Sequence, residues 1–178
     1  MTQELYQKAM KFAGEKHAFQ KVPGTESNYL LHLSNVAMEI MMAYAYKSNF
    51  NIDLALPIAV LHDTLEDTNA TLEELKTEFG ERVANGVSAL TKNAALPSKQ
   101  ERMIDSLERI NRLEKEVGMV KLADRITNLQ VPPKHWSKEK VQAYRQEAMV
   151  IDELLPNKNE YLNNRLKEKI KAYEAYCK

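Results

Sequence analysis

The chain has 178 residues, enough for one domain with a substantial core. Its 25 basic and 25 acidic side chains cancel, which excludes an overall field that would draw it to nucleic acid or to an anionic membrane, so any anion must be recognised locally. The apolar run around its most unusual motif reaches only from Leu54 to Leu61, far short of the roughly 20 residues of a bilayer span; the start lacks an apolar signal core, and Cys177 has no partner in the chain, so a cytoplasmic protein without disulfides is expected.

Five glycines and repeated i, i+3, i+4 apolar spacing predict helices throughout, with no strand. A first helix is expected over about 2–17, with Leu5, Ala9, Phe12 and Ala13 inward, ending before a loop over 20–28 that contains Pro23-Gly24. A second, over about 29–46, carries His32 in its first turn and Met38, Met41 and Met42, which are expected in the core or, failing that, against a second copy of the chain in a homodimer. Asn51 or Asp53 can cap a third helix, with Pro57 expected in its opening turn and its last turn running through 62–67. Thr71-x-x-Glu74 is a capping box and Gly80 a stop; another helix follows over about 81–91. Ser98-x-x-Glu101 opens a charged helix expected to reach Lys115, with Gly118 or the residues before it separating it from a helix that holds Asp124. Pro132-Pro133 breaks the chain, Ser137 caps a helix to about 155, and a C-terminal helix is expected over 157–178. The whole reads as a single compact all-α domain over 1–178.

Two segments concentrate chemistry: A-V-L-H-D-T-L-E-D-T, with His62, Asp63, Glu66 and Asp67, and K-L-A-D-R-I-T-N-L, with Lys121, Asp124 and Asn128. Four ionisable groups within six positions of an apolar segment are costly unless they pair or hold a metal. On a continuous helix His62 lies one turn from Glu66 and Asp63 one turn from Asp67, which predicts all four along one broad face. His32 and Asp124 can complete a set of two imidazoles and two carboxylates by tertiary packing, and such donors suit manganese, iron, zinc or nickel. A hydrogen-bonded core histidine and a solvated polar stripe are the ordinary alternatives, but Leu122, Ala123, Ile126 and Leu129 around Asp124 predict a largely buried helix there. His17 and His135 read as local hydrogen-bonding or exposed residues.

These motifs resemble the HD superfamily of metal-dependent phosphohydrolases, and more closely the hydrolase domain of the RelA/SpoT homologues, including stand-alone small alarmone hydrolases. The resemblance runs from about Phe12 to Tyr144 and is carried by H-D-T-L-E-D-T, T-L-E-E-L-K-T-E-F-G-E-R-V and V-K-L-A-D-R-I-T-N-L. It implies an HD-domain fold, with His32, His62, Asp63 and Asp124 as metal ligands and manganese as the ion. It also implies Glu66 and Asp67 as the catalytic pair, Asn128 near the ribose and the attacking water, and Trp136 and Tyr144 lining a nucleotide pocket. The reaction implied is release of pyrophosphate from the 3′ position of guanosine tetra- or pentaphosphate, giving GDP or GTP. Phosphates beyond a metal need cations, and of Lys21, Lys92, Lys99, Arg102, Lys121, Lys140 and Arg145 we expect Lys99 and Lys121 at the substrate, with Lys21 as the remnant of a family loop. That loop usually carries an Arg-Lys pair and a proline before its tyrosine; here it keeps Lys21 and Tyr29 but has Asn28 at the proline position, which bears on base selectivity. Hydrolysis of another phosphorylated nucleotide and non-catalytic nucleotide sensing are the competing functions.

Overall fold

Local signals in the sequence become helix ends in the computed structural model, which describes residues 2–178. Its α-helices are α1 (Thr2–Lys16), α2 (Leu30–Tyr46), α3 (Ile52–Leu61), α4 (Thr64–Asp67), α5 (Leu72–Phe79), α6 (Glu81–Leu90), α7 (Lys99–Asn111), α8 (Lys115–Asn128), α9 (Lys138–Leu154) and α10 (Glu160–Tyr173). A 3₁₀ turn over Glu174–Tyr176 follows the last, so the C-terminal helix is shorter than its expected span. Both capping boxes form, Thr71 with Glu74 and Ser98 with Glu101, and each satisfies backbone N–H groups that an opening helix leaves unpaired. Asn51 caps α3 by accepting from Leu54 N, and Gly80 ends α5 at φ 82°, a conformation open to glycine. Among the described residues the only β pairing is an isolated antiparallel bridge between Lys21 and Asn28.

Two helices occupy the centre. Every residue of α3 from Leu54 to Leu61 is buried, as are Val117 to Thr127 of α8 apart from Lys121. α3, apolar nearly all round, must be enclosed, whereas α8 carries charged side chains into the interior. α3 packs against α1, α2, α6 and α8, while α8 also meets α7, α9 and α10. The two sequence motifs thus lie at the centre of one helical domain, where a buried charge requires a partner.

Several expectations are corrected. The third helix does not run through the first motif: α3 stops at Leu61, His62 and Asp63 form a turn, and α4 restarts at Thr64. Asp63 adopts φ −101° and ψ −1°, and the Thr64 hydroxyl donates to Leu61 O at 2.7 Å, satisfying a carbonyl at the end of α3. Pro57 is inside α3, beyond its opening turn. Gly118 separates nothing: the break falls at 112–114, and the glycine lies within α8, where a Cβ would meet the Lys158 side chain at 2.9 Å. Met38, Met41 and Met42 are not core residues; they are 42%, 43% and 49% exposed, since the buried side of α2 is taken by Leu33, Val36, Ala37, Ile40 and Ala43.

Candidate metal centre and active site

His32 comes from the first turn of α2, His62 and Asp63 from the α3–α4 break, and Asp124 from the middle of α8. The packing of α2, α3 and α8 brings them together. His32 Nε2 lies 3.2 Å from His62 Nε2, 3.6 Å from Asp63 Oδ2 and 3.5 Å from Asp124 Oδ1. His62 Nε2 lies 3.0 Å from Asp63 Oδ2 and 3.8 Å from Asp124 Oδ1. Donor atoms about 2.1 Å from a common ion stand roughly 3.0–3.4 Å apart, so these separations are near those of a coordination shell. His32, His62 and Asp124 are buried and offer ligand atoms all within 4.8 Å of one another.

Neighbouring hydrogen bonds aim these donors. His62 Nδ1 donates to Ala59 O at 2.8 Å, which turns Nε2 toward the cluster, the orientation that metal-ligating histidines adopt. Tyr29 OH donates to Asp63 Oδ2 at 2.5 Å. Lys121 Nζ reaches Asp124 Oδ2 at 3.1 Å and Asn128 Nδ2 donates to Asp124 Oδ1 at 2.5 Å, the i−3 and i+4 neighbours on α8. Burial disfavours a charge on His62, but the carboxylates of Asp63 and then Asp124 outweigh it and push the imidazole up to about 9. Burial likewise opposes ionisation of Asp63 and Asp124; His62 holds the first below the usual carboxylate range, and Lys121 with the histidines holds the second there. Two ionised carboxylates facing two imidazoles call for positive charge between them, which a divalent cation satisfies. The donor set therefore fits such an ion.

Glu66 and Asp67 do not share one face with His62 and Asp63, because the turn at His62-Asp63 interrupts the helical phase. Glu66 faces a cleft, and both nitrogens of Lys92 hold it: the backbone N–H at 3.0 Å on Oε2 and Nζ at 2.7 Å on Oε1. Asp67 instead accepts from Gln20 Nε2 at 2.8 Å, and burial raises its pKa. The cleft has a volume of about 510 Å³ and opens beside the cluster, since Glu66 and Lys121 line it.

Of the other residues read from the sequence, Lys99, Trp136 and Tyr144 line this cleft, with the two rings edge to face at 5.1 Å. Asn128 sits at Asp124, outside the lining. Lys21 is not brought there: it is exposed and pairs with Glu26. Arg125 carries no sequence signal beyond being a neighbour of Asp124 in a buried segment. It lines the cleft with 7% exposure, lies 4.3 Å over the Tyr144 ring and reaches Glu147 at 3.3 Å. Lys140 covers Trp136 at 4.2 Å. Burial pushes the Tyr144 phenol up to about 12, so it stays a hydrogen-bond donor at neutral pH.

Comparison with known proteins identifies the family. The HD domain pattern matches residues 9–159. A Xenopus tropicalis protein named guanosine-3′,5′-bis(diphosphate) 3′-pyrophosphohydrolase MESH1 is 34% identical over 163 residues, 89% of this chain and 88% of its own length. An Aquifex aeolicus guanosine-3′,5′-bis(diphosphate) 3′-pyrophosphohydrolase is 38% identical over 129 residues, 71% of this chain but only 17% of that longer protein. The structure of a metazoan ortholog of SpoT, described as hydrolysing ppGpp, superposes with a TM-score of 0.81 at 26% identity, covering 94% of each chain. This chain therefore belongs to the HD-domain family, and within it stands with the hydrolase domains of the RelA/SpoT homologues.

Proposed function

We propose that the protein hydrolyses the 3′-pyrophosphate of guanosine tetra- and pentaphosphate, giving GDP or GTP and pyrophosphate, with His32, His62, Asp63 and Asp124 holding a divalent cation, Mn²⁺ by family resemblance. The observation that carries this is the convergence of two imidazole nitrogens and two carboxylate oxygens, 3.0–3.8 Å apart where measured, at the edge of a cation-lined cleft. The relatives named for this reaction match most of the chain.

When bound, the cation supplies charge neutralisation at the phosphoryl group and acidifies water beside it. Glu66, facing the cleft next to the cluster, takes the proton from the attacking water, and Lys92 orients its carboxylate. The oxygen of that water bonds to phosphorus, the bond from phosphorus to the ribose 3′ oxygen breaks, and that oxygen leaves with a proton. Asp67, whose pKa burial raises, is suited to deliver it, because carboxylates in different surroundings divide base and acid roles. Lys99, Arg102 and Lys121 neutralise phosphates along the cleft, while Trp136 and Tyr144 present aromatic faces to the nucleoside and Asn128 orients Asp124.

Lys21 lies with Glu26, away from the cleft, which favours a second reading in which another phosphorylated nucleotide is hydrolysed by the same machinery. Metal-loaded protein incubated with a nucleotide panel, its products resolved by chromatography, separates the two. Pyrophosphate and GDP from guanosine tetraphosphate support the first; turnover confined to another nucleotide overturns it in favour of the second; binding without turnover overturns both.

A further inference from the structure

The carboxylate of Asp67 is held by a connection that begins at a buried histidine outside the metal cluster. His17 follows α1, is 1% exposed, and its Nδ1 lies 2.6 Å from Gln20 Oε1; Gln20 Nε2 in turn donates to Asp67 Oδ2 at 2.8 Å. Chemistry fixes the direction of this chain. A carboxylate only accepts, so the amide nitrogen of Gln20 faces Asp67 and its oxygen faces the imidazole; an amide oxygen also only accepts, so His17 must carry its proton on Nδ1. Nε2 is buried with no partner, and in this tautomer it is a bare lone pair. The opposite tautomer would set two acceptors against each other at Gln20 and bury an N–H with nothing to receive it.

The segment is anchored independently. Gln20 O accepts from Tyr29 N at 2.9 Å, and the Lys21–Asn28 bridge closes the loop. The His17 ring stacks on Tyr29 with centroids 5.0 Å apart and planes 28° from parallel, and that same tyrosine donates to Asp63. Side chains with little freedom make such a chain an aiming device rather than a transient contact.

We propose that His17 and Gln20 are positioning residues for the reaction: their hydrogen bonds engage Oδ2 of Asp67 and leave Oδ1 free for the leaving oxygen. This rests on the catalytic role given to Asp67 above. The test compares His17→Asn, which keeps an amide N–H near the place of Nδ1, with His17→Gln, which moves it toward Nε2, and with Gln20→Met, which deletes both hydrogen bonds at similar length. Nitrogen-15 spectra of the histidine rings should show His17 as the Nδ1–H tautomer in the parent protein.

With guanosine tetraphosphate, Gln20→Met should lower kcat about 10–100-fold, the usual range for a partner of a site residue, at unchanged KM and metal content. His17→Gln should fall with it, and His17→Asn should keep kcat within roughly threefold of the parent because the donor is retained. Gln20→Met added to Asp67→Asn should cost nothing more, since residues that act as a unit are not additive. An Nε2–H tautomer, a parental kcat in Gln20→Met, or an additive double variant each overturns the proposal. If only another nucleotide is hydrolysed, the substrate assignment fails while the same variants measured on that nucleotide still decide the aiming role. If nothing is hydrolysed, Asp67 has no reaction to serve and both fall.

Discussion

The two motifs deliver their proposed metal ligands by opposite means. At the first, the helix breaks: α3 ends at Leu61, α4 begins at Thr64, and the turn between lets the adjacent residues His62 and Asp63 place Nε2 and Oδ2 only 3.0 Å apart. On a continuous helix adjacent side chains diverge by about 100°. At the second, α8 runs unbroken through Asp124 and uses its own periodicity, with Lys121 and Asn128 clasping the carboxylate from one turn before and one turn after. A broken helix supplies two ligands at once but depends on the turn that shapes it. An unbroken one supplies a single ligand, oriented by its own neighbours.

That contrast can be broken at either end. Asp63→Ala or His62→Ala should abolish metal retention and turnover together, read by elemental analysis alongside product formation; a variant that kept its metal would remove the ligand assignment. Glu66→Gln should retain the metal yet lose about 10²–10⁴-fold in kcat, the usual contribution of a positioned general base, and metal loss there would show a different role for Glu66. Asn128→Ala should weaken metal affinity by about 10–100-fold without unfolding the protein, as expected when a ligand loses its orienting partner. Thr64→Val removes the hydroxyl bond to Leu61 O and should cost roughly 1 kcal/mol in denaturant unfolding, with metal affinity falling as the turn loosens. The smallest effect is on α2, where Met42→Ala at an exposed site should change stability by no more than about 0.5 kcal/mol, whereas Leu61→Ala in the core should cost about 2–5 kcal/mol.

Much of the helical order was legible. Asn51, Thr71, Ser98 and Ser137 cap helices as expected, because a cap needs only a side-chain oxygen and a backbone N–H two or three residues away. The break at 62–63 was not legible, since H-D-T-L-E-D-T contains neither glycine nor proline and its turn is held by Thr64 and by tertiary contacts. Gly118 misled for the opposite reason: a glycine can mark a close approach as well as a stop, and here Lys158 passes over it. The exposed methionines of α2 show that apolar content does not say which side of a helix is covered.

Residue types and their spacing were enough, by themselves, to predict an all-helical chain and to mark His62 and Asp63 as candidate metal donors that His32 and Asp124 could join, because donor chemistry and helix periodicity are written locally. Tertiary structure alone decided where the two remaining acids point. Glu66 faces the cleft with Lys92 and Asp67 turns to Gln20, pairings that span 26 and 47 residues of sequence. A side chain's direction past a helix break depends on backbone angles and distant partners, and no local pattern encodes either.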